Sequence, residues 1–262
     1  MEILYFSFTE DKFYEGRFAL PQQRLYELLK TGFWDTQDQK HITYHELTVC
    51  VLPKGLVCVW LTGLGRKVLI GAFRGSVSDA DFRRFYPKTD RPQMYRDEMA
   101  ERPAEVQQQM KAGTINTKQW DDYLKTYPWQ VAFSVPLTLD NFTMRFLNAE
   151  VTNYPLTPDL ALHARALLTP QARAVPRSCT FYVRDEAGHA HRVRAKTFDE
   201  AQTMAAFATL HQQSPNQHLT LRVETDKYVK KASFVLTNGL QTIPLTRLPS
   251  GSWPRTEGVG VL

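Results

Sequence analysis

The chain contains 262 residues, of which 43% are hydrophobic and 23% are charged, so it can bury the core of one large domain or of two small ones. Its formal net charge is +5, and the positive excess lies entirely in residues 151–262. Three cysteines at no metal-ligand spacing argue against a disulfide framework or a zinc site, and no apolar run reaches the roughly 18 residues that a membrane span needs.

The N-terminal residues predict two strands and a helix. The apolar and aromatic runs at 3–8 and 13–18 are typical of strands. A helix is expected to open at Pro21, because proline suits the first helical position, and to end at Gly32. The polar and aromatic residues 33–44 predict a loop.

Residues 45–73 predict an antiparallel meander of three short strands joined by glycine-containing turns. Leu47, Val49 and Val51 alternate with Thr and Cys, which is the period of a strand with one buried face. The run 56–61 is apolar on both faces, so this strand is expected to be central in the sheet.

The rest of the chain alternates short helices with strands. Helices are expected after a cap at 78–81 and at 93–101, 103–111, 117–125, 159–168 and from 197 onward. Strands are expected at 129–135, 142–151, 179–184, 191–196, 219–223, 232–236 and 240–245. The proline-containing segment 152–158 is the best linker candidate.

The predicted fold class is α+β. A domain of residues 1–151 is expected to contain the meander with flanking short helices, and a second, smaller and basic α+β module is expected at 159–248. Residues 249–262 are expected to form a flexible tail.

No catalytic, cofactor-binding or metal-binding residue is predicted. The glycines of the meander lack the spacing of a dinucleotide fingerprint, so they are interpreted as turn-formers. His189 and His191 share one face of a strand and could hold a metal only with a third ligand, and solvated histidines are the favoured interpretation. Cys50 and Cys58 are interpreted as packing residues that could be bridged only if their strands place them opposite each other.

Six side chains are candidates for contact with a partner. Most of the dense N-terminal aromatic residues are expected in the core, but aromatic side chains also dominate binding hot spots, and basic residues suit acidic partners. The candidates are Tyr14, Trp34, Arg184, Arg192, Arg194 and Lys196.

The first 150 residues or so resemble a bacterial family known as domain of unknown function 2931. The similar stretches are KFYEG at 12–16, the LPKGLVCVWLTG run at 52–63 and IGAF at 70–73. The resemblance implies small proteins of Gram-negative bacteria, many of them lipoproteins, some similar to immunity or accessory proteins encoded beside type VI secretion effectors. The family has no established catalytic residues, and this chain is expected to depart from it in lacking a lipoprotein signal.

The leading hypothesis is a non-enzymatic protein that neutralises or escorts a type VI secretion effector by occlusion. The alternatives are a hydrolytic enzyme whose site only the fold assembles, and a basic protein that binds nucleic acid or an anionic surface. The expected partner is a bacterial toxin or effector. No cofactor, no membrane span and no nucleic-acid partner are expected for this chain. Its oligomeric state stays open. The expected location is the cytoplasm, or the periplasm if a signal segment has been removed.

Overall fold

The computed structural model describes residues 1–35, 38–154 and 160–248. Strand content is 43% and helix content 24%, and the sheets are mainly antiparallel, so the predicted α+β class is confirmed. The chain divides into two compact units. The first unit is built from Met1–Asp35 and His41–Leu124, and the second contains the remaining described residues, 38–40 and those from Lys125 onward.

The first unit contains eight strands and five helices among its described residues. The strands are β1 Glu2–Ser7, β2 Lys12–Arg17, β3 Phe33–Asp35, β4 Lys40–Ile42, β5 Glu46–Val51, β6 Leu56–Gly63, β7 Arg66–Arg74 and β8 Ser76–Ser78. The helices are α1 Gln22–Thr31, α2 Phe82–Phe85, α3 Arg91–Ala100, α4 Ala104–Ala112 and α5 Lys118–Tyr123. The loop predicted at 33–44 therefore contains two short strands, with residues 36 and 37 outside the described chain.

The meander forms as predicted. β5 pairs with β6 and β6 with β7, both antiparallel, and every residue of β6 except Thr62 is buried. The turn between β5 and β6 places Gly55 at a φ of +73°, where an added Cβ would lie 2.4 Å from the carbonyl oxygen of Gly75. Glycine is needed here both for the positive φ and for the close approach of the two chains.

The exposed side of β5 differs from the prediction. Leu47, Val49 and Val51 were expected in the core, but they are 49%, 41% and 40% exposed. They lie opposite Leu61, Val59 and Val57 of β6, which are buried in a cluster with residues of α1, β1 and β7. The predicted strand period was correct. However, β5 is an edge strand, and the elements that cover β6 do not extend over the aliphatic side chains of β5.

The carboxylate of Glu10 ties the β1–β2 turn to the β5–β6 turn. It accepts hydrogen bonds from the Tyr14 hydroxyl at 2.8 Å, the Ser7 hydroxyl at 2.9 Å and the Lys54 backbone N–H at 2.8 Å. Glu10 is thus an anchor for the positive-φ turn that begins the central strand.

Replacing Glu10 by alanine is expected to lower the free energy of unfolding by about 2–3 kcal/mol, because it leaves the buried Tyr14 hydroxyl without its acceptor. Urea denaturation followed by circular dichroism measures this change. Glu10→Gln retains a side-chain oxygen acceptor and should lose clearly less. Equal stability of the wild type and Glu10→Ala would contradict the anchoring role.

The second unit contains nine strands and two helices among its described residues. The strands are β9 Thr126–Phe133, β10 Thr138–Phe146, β11 Val151–Tyr154, β12 Gln171–Ala174, β13 Pro176–Arg184, β14 Ala190–Ala195, β15 Leu219–Thr225, β16 Ala232–Thr237 and β17 Thr242–Pro244. The helices are α6 Leu160–Leu167 and α7 Glu200–Gln213. The predicted tail at 249–262 lies outside the described residues.

Two sheets and a helix enclose the core of this unit. β11, β10, β13 and β14 form one antiparallel sheet, and β12, β9, β15, β16 and β17 form another, in which β9 and β15 run parallel. The rings of Phe133 and Phe181 meet edge to face across the two sheets, with centroids 5.7 Å apart. The ring of Phe207 in α7 packs edge to face against the ring of Trp129 in β9, with centroids 5.7 Å apart.

The division into units differs from the predicted domain boundaries. The sequence placed the boundary at 152–158, whereas the division by contacts falls after Leu124. β9 and β10 pair with strands from later in the chain, which draws them into the second unit. The linker prediction is wrong for 152–154, which belong to β11, and residues 155–159 lie outside the described chain.

Burial raises the pKa of all three thiols and of the phenols of Tyr5, Tyr14 and Tyr95. Cys50 and Cys58 are directly opposite each other, and all three cysteines are free. Burial raises the pKa of the Cys58 and Cys179 thiols from 9.0 to about 12, and burial followed by the Glu10 charge raises that of Tyr5 from 10.0 to about 12.

Stability should therefore fall in alkaline solution. The folded chain holds these protons more tightly than the unfolded chain, so their contribution is complete below about pH 9 and is lost as the pH rises towards 12. Urea titrations at successive pH values should show a declining free energy of unfolding, with a flatter decline for Cys179→Ala. A constant free energy from pH 9 to 12 would contradict this expectation.

Candidate binding surface

The hairpin of β13 and β14 places basic side chains on the outer face of its sheet. Along β14, exposed Arg192 and Arg194 alternate with buried Val193 and Ala195, so the apolar residues face the core. Lys196 follows the strand and is also exposed. Alternate residues of a strand lie about 7 Å apart, which is below the Debye length of about 8 Å at physiological ionic strength, so salt only partly screens the repulsion along this row of cations.

Strand β10 extends this surface with a residue that was not a candidate from the sequence. Arg145 is exposed and lies opposite Ser178 of β13. Within the same sheet, Thr180 of β13 lies between Arg194 of β14 and Thr143 of β10. We call Arg145, Arg192, Arg194 and Lys196, together with Tyr182, the basic face.

Within the described chain, the cations of the basic face have no neighbouring carboxylate that neutralises them. Arg184, a candidate from the sequence, forms an ion pair with Asp140, with Nε and Oδ2 2.8 Å apart, and so contributes little free charge. Among the described residues, no carboxylate lies within ion-pair distance of Arg145, Arg192, Arg194 or Lys196. A surface of this kind attracts anionic groups and accelerates association with an acidic partner.

Tyr182 provides the aromatic component of the basic face. It is 40% exposed and lies opposite Arg192 of β14 and Asn141 of β10. A shallow depression of about 300 Å³ adjoins it and is lined in part by Asp140 and His191. Half-exposed tyrosines of this kind supply contact area together with a polar group, a combination that is enriched at interfaces.

The carboxylate of Asp185 stabilises the turn between β13 and β14 through contacts with two histidines. Oδ2 of Asp185 lies 3.0 Å from Nε2 of His191 and 3.2 Å from Nδ1 of His189, and its Oδ1 accepts the His189 backbone N–H at 2.9 Å. The hydrogen bond from His191 is the main cause that lowers the pKa of Asp185 to about 2. The histidines therefore have a carboxylate partner, and no group of three or more His, Cys, Asp or Glu side chains in the described chain could hold a metal ion.

The two aromatic candidates do not join this surface. Tyr14 is only 5% exposed, since its ring points inward from β2, stacks 5.6 Å from Tyr5 and bonds to Glu10, so it cannot present a contact to a partner. Trp34 is half-buried in the short strand β3 of the first unit. Helices in the described residues are all too short or too polar to cross a membrane.

The first unit lies within a region that matches a known protein family. The sequence model of one protein family matches residues 1–132, half of the chain. The chain belongs to the DUF2931 family. This family carries the description "Protein of unknown function (DUF2931)", and the resemblance inferred from the sequence motifs is thereby confirmed at the level of the family.

The matched DUF2931 region contains the whole meander and ends within β9, so the basic face lies outside it. No curated protein and no solved structure matches the chain.

Proposed function

We propose that this DUF2931 protein is a non-enzymatic binding protein that docks an acidic protein partner on its basic face. The proposal rests on four exposed cations that β10, β14 and the residue after β14 place on one sheet face, with no carboxylate partner among the described residues. Unpaired like charges repel one another, and an anionic partner relieves that repulsion when it binds.

The architecture of the face supports binding without large rearrangement. Its residues project from paired strands whose inner side chains Phe142, Met144, Phe181 and Val193 are almost completely buried. A rigid sheet loses little conformational entropy on association, and Tyr182 offers an aromatic anchor among the charges. The mechanism is occlusion, in which the sheet covers an acidic surface that the partner needs for its own activity.

In its more specific form, the proposal makes the partner a type VI secretion effector and this protein its immunity or accessory factor. Support for that step comes from the resemblance to the DUF2931 family, some members of which are similar to immunity or accessory proteins encoded beside such effectors. The basic face adds one requirement, which is that the partner surface be acidic.

Co-purification with the product of the neighbouring gene tests the proposal. We expect a stable complex that weakens as salt is raised, because the contact is between opposite charges. We also expect that expression of this protein protects cells from the neighbouring product. Absence of both the complex and the protection would rule the proposal out. Tighter binding to duplex DNA than to the protein would instead support the nucleic-acid alternative.

A further inference from the structure

We infer that two copies of this protein associate through the edges of their β5 strands, in antiparallel orientation. This contact lies in the first unit and is independent of the basic face. Its core would be the exposed row of Leu47, Val49 and Val51, each at least 40% exposed in the single chain.

The backbone of β5 has an unpaired outer edge. The Leu52 N–H donates to the Leu56 carbonyl oxygen at 2.8 Å, which places residues 46, 48 and 50 in hydrogen-bonded pairs with β6. The N–H and C=O groups of Leu47, Val49 and Val51 therefore point away from β6. Within the described part of the chain, β5 has β6 as its one neighbouring strand.

This edge lacks the usual protection against pairing. Natural edge strands carry lysine, proline or a bulge within the strand, which blocks the approach of another strand. Between Leu47 and Val51 there is no charge and no proline, and the exposed side chains are aliphatic. Leu29 of α1, which is 42% exposed and whose carbonyl oxygen accepts the Thr43 hydroxyl, adds apolar surface near the start of β5.

The charges at the two ends of β5 favour a second copy of this chain as the molecule that pairs with this edge. Glu46 begins the strand and Lys54 lies in the turn after it, and both are exposed. Neither has an ion-pair partner in the described chain. An antiparallel copy brings the Glu46 end of each strand towards the Lys54 end of the other, whereas a parallel copy would bring like charges together.

A two-fold axis at Val49 lets the outward backbone groups of the two β5 strands pair with each other and brings their aliphatic side chains together. Val49 of one copy then forms a hydrogen-bonded pair with Val49 of the other, and Leu47 lies opposite Val51. The interface is isologous, so it closes after two copies and does not propagate. Its small area predicts a dimer that dissociates in the micromolar range, at about 1 μM or above.

Analytical ultracentrifugation over a range of concentrations tests the inference. The wild type should be dimeric at high concentration, and Val49→Lys should raise the dissociation constant at least about tenfold. Val49→Pro should act similarly, because it removes an outward N–H and leaves the β5–β6 ladder intact. Leu64→Lys makes the same chemical change at a 60% exposed position of the β6–β7 turn and should leave the dimer unchanged.

A charge exchange distinguishes this dimer from other associations. Glu46→Lys should weaken the dimer, and the double variant Glu46→Lys/Lys54→Glu should restore it. A wild type that stays monomeric at its highest soluble concentration would overturn the inference, as would a dimer that tolerates Val49→Lys and Val49→Pro. Val49→Lys should still bind the neighbouring gene product, so failure of the dimer and failure of the proposed function give different results.

Discussion

The double variant Arg192→Glu/Arg194→Glu is expected to bind the neighbouring gene product about a hundredfold more weakly than the wild type. Both side chains are exposed on β14 and alternate with buried residues, so their replacement changes the charge of the basic face without disturbing the core. Reversal places like charges against the acidic partner in addition to removing attraction. Isothermal titration calorimetry at low and high salt measures the loss, which should shrink as salt rises.

The matched control reverses two cations elsewhere in the same unit. Lys230 and Lys231 are exposed between β15 and β16, so Lys230→Glu/Lys231→Glu changes the net charge equally. If attraction depended only on net charge, the two double variants would lose affinity to the same extent. That outcome, or unchanged binding by Arg192→Glu/Arg194→Glu, would contradict docking on the basic face.

Replacing Trp129 by alanine is expected to lower the free energy of unfolding by about 3–5 kcal/mol. The side chain is completely buried in β9 and packs edge to face against Phe207 of α7. Its indole N–H lies 3.2 Å from the Ala174 carbonyl oxygen and 3.3 Å from that of Arg173. Alanine would leave a large cavity and remove the donor shared by these two carbonyls of β12.

Urea denaturation followed by circular dichroism measures this loss. Trp129→Phe keeps most of the ring volume but lacks the N–H, so it should fall between the alanine variant and the wild type. Trp34→Ala is the control, since Trp34 is half-buried in the first unit and should cost clearly less. A loss of less than about 1 kcal/mol for Trp129→Ala would show that the second-unit core tolerates the cavity.

Local patterns were sufficient to predict the two strands, β13 and β14, that form the hairpin of the basic face. The alternation from His191 to Lys196 predicted a strand, and the same alternation placed Arg192, Arg194 and Lys196 on one side of it. Arg145 was missed because its neighbours on the face come from β13, more than 30 residues later in the chain. Its own alternation with Met144 and Phe146 was a usable signal, but only the register between strands shows which cations meet.

The β5 strand shows a different limit of the sequence. A period of two identifies two faces, but it does not say which face is covered. Val57, Val59 and Leu61 of β6 are buried by α1 and β1, while Leu47, Val49 and Val51 continue the same face beyond this cover. Burial here depends on the position of β5 at the sheet edge, which is set by tertiary packing.

Helix capping also shows competition between similar local signals. The spacing from Thr197 to Glu200 matched a capping box, but Asp199 is the residue that caps α7, by accepting the Gln202 backbone N–H at 2.9 Å. Thr and Asp are both good N-caps, so neighbouring positions compete. Thr197 instead accepts the Leu248 N–H at its backbone oxygen, a long-range contact that no local pattern contains.

The most direct test of the basic face is arginine footprinting of the wild-type complex with the neighbouring gene product. Phenylglyoxal modifies exposed arginines, and mass spectrometry measures the extent at each site. The proposal predicts that Arg145, Arg192 and Arg194 are protected in the complex, while Arg17, with 83% of its side chain exposed in the first unit, keeps its reactivity. Reactivity of Arg192 and Arg194 that is unchanged by the partner would contradict docking on this face.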